Sequence, residues 1–322
     1  MKILITGCAG FIGFHLAREL LNTGNIVYGV DSLNDYYDRK LKIHRLAILN
    51  KEKKFNFNKV DISNFYALKK IFNKKKFDTV INLAAYAGVS YSLKFPEKYI
   101  QTNEVGFFNI LELVKKFKVK KLLFASSSSI YGTNKLPFKE SQITDSPLSL
   151  YGATKKNNEI LASYYSKEFN ITIIGIRFFT VYGPYGRPDL SIFKFCKQII
   201  KNKTVTLYNY GNNFRDFTYI DDVVDNLNKL IKLKNFTSKS KRKFYLLNIS
   251  SGKKIKISNL IKLIEKALGK KAKTKLTKKL SYDIPASLSY STNLKKLIKI
   301  RKKTQIKDGI NKFVNWYQEY YL

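Results

Sequence analysis

At 322 residues the chain is too long for one small module and fits either a large α/β unit or two coupled domains. An apolar fraction of 44% with 14% aromatics supplies a core and excludes general disorder; two cysteines provide neither a disulfide framework nor a metal-binding spacing, and a reducing compartment is the expectation. The net charge of +37 raises nucleic acid or a membrane surface as partners, yet only eight of the 60 basic residues are arginine, so the excess reads as a solvated, lysine-biased exterior and not as a base-reading patch.

The chain opens with a strand at 2–6, then Gly7-Cys8-Ala9-Gly10-Phe11-Ile12-Gly13, then a helix over 14–22. Lys2 ahead of an apolar run imitates a secretory leader. The glycines, Arg18 and Glu19 interrupt that run, and no stretch approaches the ~20 apolar residues of a membrane span. A soluble, cytoplasmic protein without a membrane partner is expected. Further strands fall at 26–30, 55–60, 79–83, 121–126 and 171–178, with helices at 67–73, 105–117 and 154–169. Strict alternation of strand and helix implies a parallel sheet with helices on both faces, and in such sheets ligands sit beyond the carboxyl ends of the strands. After Thr180 the texture changes. Residues 181–189 carry Gly183, Pro184, Gly186 and Pro188 and read as a loop. Strands at 205–208 and 244–249 then mix with helices at 191–201, 220–233 and 257–268. A polar loop is expected at 235–243, a lysine-rich stretch at 270–279 and a turn at 281–285.

Gly7, Gly10 and Gly13 follow a strand and open a helix, so they permit a tight turn and let backbone N–H groups approach a pyrophosphate at the helix N-terminus. Asp31, 18 residues past Gly13 at the end of the second strand, suits the adenosine ribose hydroxyls and repels a 2′-phosphate, which favours NAD over NADP. Asp61 and Ile62 are placed to meet the adenine, although Asp61 or Ser63 equally suits a helix N-cap. The small residues of Leu83-Ala84-Ala85 let a dinucleotide pass close to the backbone. The predicted architecture is a doubly wound parallel sheet of the Rossmann type spanning 1–180, with the strand near 244–249 added to it, and a smaller, partly interleaved substrate domain over 181–322.

Tyr151 and Lys155 lie four apart at the start of a helix and share one face. An ammonium beside a phenol favours the phenolate and draws the tyrosine toward neutrality, producing a general base that takes a proton from an alcohol as hydride leaves. The run Ser126-Ser127-Ser128-Ser129 ends the fifth strand at the sheet's carboxyl edge, where a hydroxyl can bridge a substrate oxygen and that tyrosine. His15 and His44, the only histidines, sit in no motif, which leaves a Ser–His–Asp reading without support.

These motifs, with the blocks Arg177-Phe-Phe-Thr-Val-Tyr-Gly-Pro184 and Arg215-Asp-Phe-Thr-Tyr-Ile-Asp-Asp222, resemble the extended short-chain dehydrogenase/reductases nearly end to end. Within that family the stretch Asp31-Ser-Leu-Asn-Asp-Tyr-Tyr37, Tyr91-Ser92-Leu93, Phe179-Thr180 and the segment from Phe313 to Tyr320 look most similar to the UDP-glucuronate 4-epimerases. The resemblance implies tightly held NAD and a UDP-sugar substrate, with Tyr151 as the base, Ser127 assisting it, and Lys155 holding both tyrosine and nicotinamide ribose. It implies cofactor contacts at Phe11, Ile12, Asn34, Ser126 and Phe178. Ser127 would also touch the substrate, Ser128, Ser129, Thr180 and Arg187 would surround the sugar carboxylate, and Arg215 would meet the diphosphate; forked guanidiniums in loop contexts suit both anions. It also implies a homodimer formed through 105–117 and 154–169.

The chain departs from the narrower pattern in Ala85-Tyr86-Ala87-Gly88-Val89-Ser90-Tyr91-Ser92, where Tyr86 replaces a glutamine and Ser90 an arginine. A UDP-glucose or UDP-N-acetylhexosamine 4-epimerase therefore stays open beside the uronate enzyme. A dehydratase or decarboxylase of the same fold lacks its carboxylic acid, because Ser127-Ser128-Ser129 holds none. From other classes, the intact Tyr151/Lys155 pair argues against a silent NAD-binding scaffold, and the arginine-poor surface against an RNA-associating protein.

Overall fold

The computed structural model describes residues 1–233, 243–280, 283–301 and 303–322. Its first part alternates strand and helix: β1 (Lys2–Thr6), α1 (Phe11–Asn22), β2 (Ile26–Asp31), α2 (Arg39–Leu49), β3 (Phe55–Lys59), α3 (Phe65–Lys74), β4 (Thr79–Asn82), α4 (Val89–Lys94), α5 (Pro96–Tyr99), a π-helical segment (Ile100–Val105), α6 (Gly106–Lys116), β5 (Lys121–Ser127), α7 (Leu150–Glu168) and β6 (Thr172–Phe178). There follow β7 (Thr180–Tyr182), α8 (Ser191–Ile200), β8 (Val205–Tyr208), β9 (Phe214–Tyr219), α9 (Ile220–Lys232), β10 (Phe244–Ile249), β11 (Lys254–Lys256), α10 (Ile257–Leu268), β12 (Thr274–Thr277), α11 (Thr292–Leu297) and α12 (Ile306–Tyr321).

Seven strands form the main sheet in the order β10-β6-β5-β4-β1-β2-β3, every pair parallel. Strand direction and pleat explain why the chain needs two apolar layers. In β1, Ile3 and Ile5 enter one core with α1 and α9, while Leu4 enters the other with residues of α3, α6 and α7. The order reverses beside β1, so the carboxyl ends of β1 and β4 open the crevice that such a sheet offers to ligands. A second sheet, β11-β9-β7, and a short β12-β8 pair lie beyond it. No helix among the described residues is long and apolar enough to cross a membrane.

Several elements differ from the reading of the sequence. Helix α1 starts at Phe11, because Gly10 serves as its N-cap in extended backbone and Gly13 is accommodated inside the helix. Helix α7 starts at Leu150, where the Ser149 hydroxyl accepts from the Gly152 N–H at 3.1 Å, so Tyr151 lies in its first turn. The expected loop at 181–189 begins as β7, which pairs in parallel with the end of β9. Arg215, expected in a loop, lies on β9. Part of the lysine-rich 270–279 stretch is β12, paired with β8. Helix α2 went unpredicted because its buried face carries Lys42 and Arg45 among its leucines, which breaks the apolar pattern. Most of the predicted 235–243 loop and part of the 281–285 turn lie outside the described residues.

Candidate active site

A cavity of about 600 Å³ runs along the carboxyl ends of the main-sheet strands. Its floor is the glycine loop. Gly7 holds φ +71°, and a Cβ there would stand 2.7 Å from the Ala84 amide nitrogen; one on Gly13 would stand 2.1 Å from the Gly7 carbonyl. Only hydrogen fits at either position, so the loop backbone packs directly against Ala84 and against the first turn of α1. Its N-cap makes no side-chain bond and its first turn holds no acid, so these amides and the helix dipole face the cavity as an anion cradle.

The Asp31 carboxylate closes one end. It is buried and accepts from the N–H groups of Ala9 (3.0 Å) and Leu33 (2.9 Å). Burial raises its pKa while those amides, Lys42 and Arg45 oppose the rise. Lys42 lines the same wall and donates to the Asn34 carbonyl at 2.9 Å; burial lowers it to about 8. Beneath, fully buried Arg45 ties the loop to the rest of the molecule, donating to Ala9 O at 2.9 Å, Tyr37 Oη at 2.7 Å and Tyr185 O at 2.6 Å. Asp61 and Ile62 line the cavity. The N-cap of α3, however, is Asn64, which accepts from the Ala67 N–H at 3.0 Å; Asp61 instead folds onto the N–H and hydroxyl of Ser63.

The opposite end gathers the serine run and the first two turns of α7. Tyr151 and Ser127 line the same cavity, and Lys155 donates to the Ala125 carbonyl at 2.8 Å. The expected direct action of Lys155 on the phenol is not seen. Its ammonium points at the β5 backbone, 6.0 Å from the tyrosine ring centroid, and burial lowers it to about 7. Burial likewise raises Tyr151, opposed by the Ser127 hydroxyl and the charge of Arg187, while Asp189 adds to the rise. Behind these residues Ser126 donates to Glu159 Oε1 at 2.6 Å, and Glu159 meets Arg177 in a buried two-point ion pair at 2.9 and 2.7 Å. Arg177 continues to the Tyr131 hydroxyl (2.8 Å), which donates to Asn248 on β10 (2.7 Å). The helix bearing Tyr151 and Lys155 is thus keyed by polar contacts to β5, β6 and β10.

Arg187 reaches the cavity beside Ser128, Ser129 and Thr180, already paired with Asp189. Burial works against charge on both partners. Mutual attraction outweighs it, holding Arg187 above and Asp189 below their ordinary ranges. Of the residues singled out in the sequence, Gly7, Gly10, Phe11, Ile12, Gly13, Asp31, Asn34, Asp61, Ile62, Leu83, Ala84, Ala85, Ser126–129, Tyr151, Lys155, Phe178, Thr180 and Arg187 all line this cavity. Arg215 is not among its lining residues, and its guanidinium pairs with Asp283. His15 is half-buried, bonded to the Pro184 carbonyl at 2.9 Å and lowered by desolvation to about 3, a neutral structural ring. Lys42 and Asp189 were given no role in the sequence, and Tyr36 was noted only as part of the 31–37 stretch. Lys42 is one lysine among many, and Asp189, two residues past Arg187, offered only its proximity as a signal.

The arrangement combines an anion cradle, a buried carboxylate and the Tyr151, Ser127 and Lys155 side chains in one cleft. A model of the NAD dependent epimerase/dehydratase family matches residues 3–242. The chain is 45% identical to Protein CapI of Staphylococcus aureus, over all of this chain and 99% of that one. It is 42% identical to a UDP-glucuronate 4-epimerase of Thermodesulfobacterium geofontis, over 98% and 96%. Among solved structures it is similar to the UDP-glucuronic acid 4-epimerase of Bacillus cereus in complex with UDP-glucuronic acid and NAD, with 32% identity, full coverage of both chains and a TM-score of 0.92.

Proposed function

The chain belongs to the NAD dependent epimerase/dehydratase family, and from that premise we propose that it interconverts the C4 epimers of a UDP-sugar, with UDP-glucuronate and UDP-galacturonate as the preferred pair. The observation that carries this reading is that Tyr151, Ser127 and Lys155, one turn along the same helix as Tyr151, line the same cleft as the glycine cradle. The residues fit NAD. Gly7, Gly10 and Gly13 present the loop backbone and the start of α1 to the cavity for a pyrophosphate, Asp31 suits two ribose hydroxyls, and Leu83, Ala84, Ala85 and Phe178 flank the path between them and Lys155. Bound there, NAD supplies a reversible hydride acceptor for C4, so that the sugar is oxidised and re-reduced with no net redox change.

The protein's part is proton handling and orientation. Tyr151 takes the O4 proton and later returns it, and Ser127 bridges phenol and sugar oxygen. A buried phenol is a reluctant base, so the local positive charges decide whether it ionises. Arg187 already acts in that direction, and Lys155, protonated and turned from Ala125 O toward the nicotinamide ribose, adds to it. Ser128, Ser129, Thr180 and Arg187 receive the C5 carboxylate. Arg215 reaches a diphosphate only by exchanging its Asp283 contact. No carboxylic acid stands in the 127–129 run to expel a hydroxyl, which favours epimerisation over dehydration.

We assign the cofactor to the main sheet and the sugar nucleotide to residues after 180. The exposed rings of Phe108 on α6 and Tyr164 on α7, which flank Tyr165, are our candidate surface for a homodimer. The free, buried thiols of Cys8 and Cys196 suit a cytoplasmic reaction. The test is direct: incubate the purified protein separately with UDP-glucuronate, UDP-glucose and UDP-N-acetylglucosamine, without added reductant, and look for each C4 epimer. Formation of UDP-galacturonate at the highest kcat/KM is expected, and absence of any C4 epimer would overturn the proposal.

A further inference from the structure

The sugar end of the cleft contains an ion pair that takes up and gives up no proton itself. Arg187 donates from Nε to Asp189 Oδ1 at 3.0 Å and from Nη2 to Oδ2 at 2.5 Å. These are two parallel bonds, the geometry in which a guanidinium receives any carboxylate. Nη2 also donates to the Ala87 carbonyl at 2.7 Å and meets the Tyr36 hydroxyl at 3.1 Å. The Tyr36 hydroxyl in turn donates to Asp189 Oδ2 at 3.1 Å and bonds Ala87 O. The bonds of Arg187 to the described residues all run through Nε and Nη2, so the edge best suited to a substrate carboxylate is taken.

We propose that Asp189, held in place by Tyr36, is a built-in rival of the substrate carboxylate at Arg187 and sets how strongly the cleft prefers a uronate over a neutral sugar. The inference rests on the reading that a UDP-sugar binds here with its C5 substituent at Arg187. An unpaired guanidinium in this half-buried wall would be costly, and Asp189 removes that cost. The same charge then works against the ligand. An incoming carboxylate meets a neutral pair instead of a free cation, and it either takes the single remaining nitrogen, Nη1, or displaces Asp189. A neutral hexose, with no charge to repel, is indifferent to that exchange. Discrimination therefore depends on the balance between one internal and one external carboxylate, and not on the arginine alone.

The experiment is calorimetric titration of NAD-loaded wild type, Asp189→Asn and Tyr36→Phe with UDP-glucuronate and with UDP-glucose. Asparagine keeps the size and one acceptor and removes the charge, so the ratio of the UDP-glucose Kd to the UDP-glucuronate Kd should rise roughly tenfold. Tyr36→Phe leaves the charge and loosens its tether, and should give a smaller rise. An unchanged or lower ratio in Asp189→Asn overturns the proposal and makes Asp189 a residue that merely aims the guanidinium. If that variant fails to fold or to retain NAD, the ratio in Tyr36→Phe decides by the same criterion. Wild-type turnover is followed separately. A raised ratio with no C4 epimer from any UDP-sugar sinks the proposed reaction and leaves this inference standing; a wild type that binds neither ligand sinks both.

Discussion

Glu159→Gln removes one charge from directly behind the proposed active site and leaves the side chain's shape intact. In the wild type the carboxylate accepts from Arg177 Nε at 2.9 Å, Arg177 Nη2 at 2.7 Å and Ser126 Oγ at 2.6 Å. Both members of the pair are almost fully buried, at 2% and 4% side-chain exposure. An amide supplies one acceptor and turns an NH₂ toward groups that are themselves donors, so Arg177 keeps its charge without a counter-ion. Breaking a buried pair from one side costs about 3–5 kcal/mol. With an unfolding entropy of about 2.1 cal/mol/K per residue, this chain changes stability by about 0.7 kcal/mol per degree near its midpoint, so the expected loss of Tm is about 4–7 °C. Scanning calorimetry on the NAD-loaded protein measures it. The double variant Glu159→Leu/Arg177→Met, which removes both charges, should recover most of the loss. A fall of less than about 1 °C in the single variant would show that the pair is solvated or dispensable, and would refute the view that it locks α7 onto β5 and β6.

Tyr151→Phe should lower epimer formation by about 10²–10⁴-fold while UDP-sugar binding, read by calorimetry, is retained; full activity would remove Tyr151 as the base. Arg187→Ala should raise KM for UDP-glucuronate far more than for UDP-glucose, and equal losses on both would break its assignment to the carboxylate. Lys155 predicts a pH effect. Burial lowers it from 10.5 to about 7, so between those values the unfolded chain binds a proton that the folded one has released, and stability rises with pH across the window. In dinucleotide-free protein Lys155→Met should therefore raise Tm most at pH 7 and below, with the gain vanishing toward pH 10.5; a gain independent of pH would contradict the burial of a titrating amine.

The β/α alternation was legible because parallel strands buried on both faces are short apolar runs, and the glycine spacing because only glycine tolerates the backbone approach seen at Gly7 and Gly13. What stayed hidden shares a physical cause: polar residues doing interior work. Arg45 and Lys42 are buried in α2, and a helix whose inner face carries cations shows no apolar stripe. Asn103 pins the active-site wall through the backbone of Tyr86, donating to its carbonyl at 3.0 Å and accepting from its N–H at 2.9 Å; no periodicity announces such a contact. Tyr86 itself, which marked a departure from the family pattern, is buried and packs in parallel with Tyr91, ring centroids 6.0 Å apart. Substrate-side charges were read one residue at a time. Arg187 was found, but its partner Asp189 depends on a side-chain geometry that spacing cannot express, and Arg215 was given a loop setting because the pairing of β9 with β7 and β11 is long-range.

The main sheet borrows its outermost strand, β10, from residues that follow the second sheet's β7 and β9 in the chain. The polypeptide therefore leaves the nucleotide layer, builds part of its neighbour, and comes back to finish what it began. Severing the chain after Thr180 would strip β6 of its flanking partner and expose a hydrophobic edge ready to pair with another molecule. It would also take away Asn248, the β10 residue reached by the polar chain that starts at Ser126. The two sheets are therefore stitched together through β10 rather than joined by a single linker.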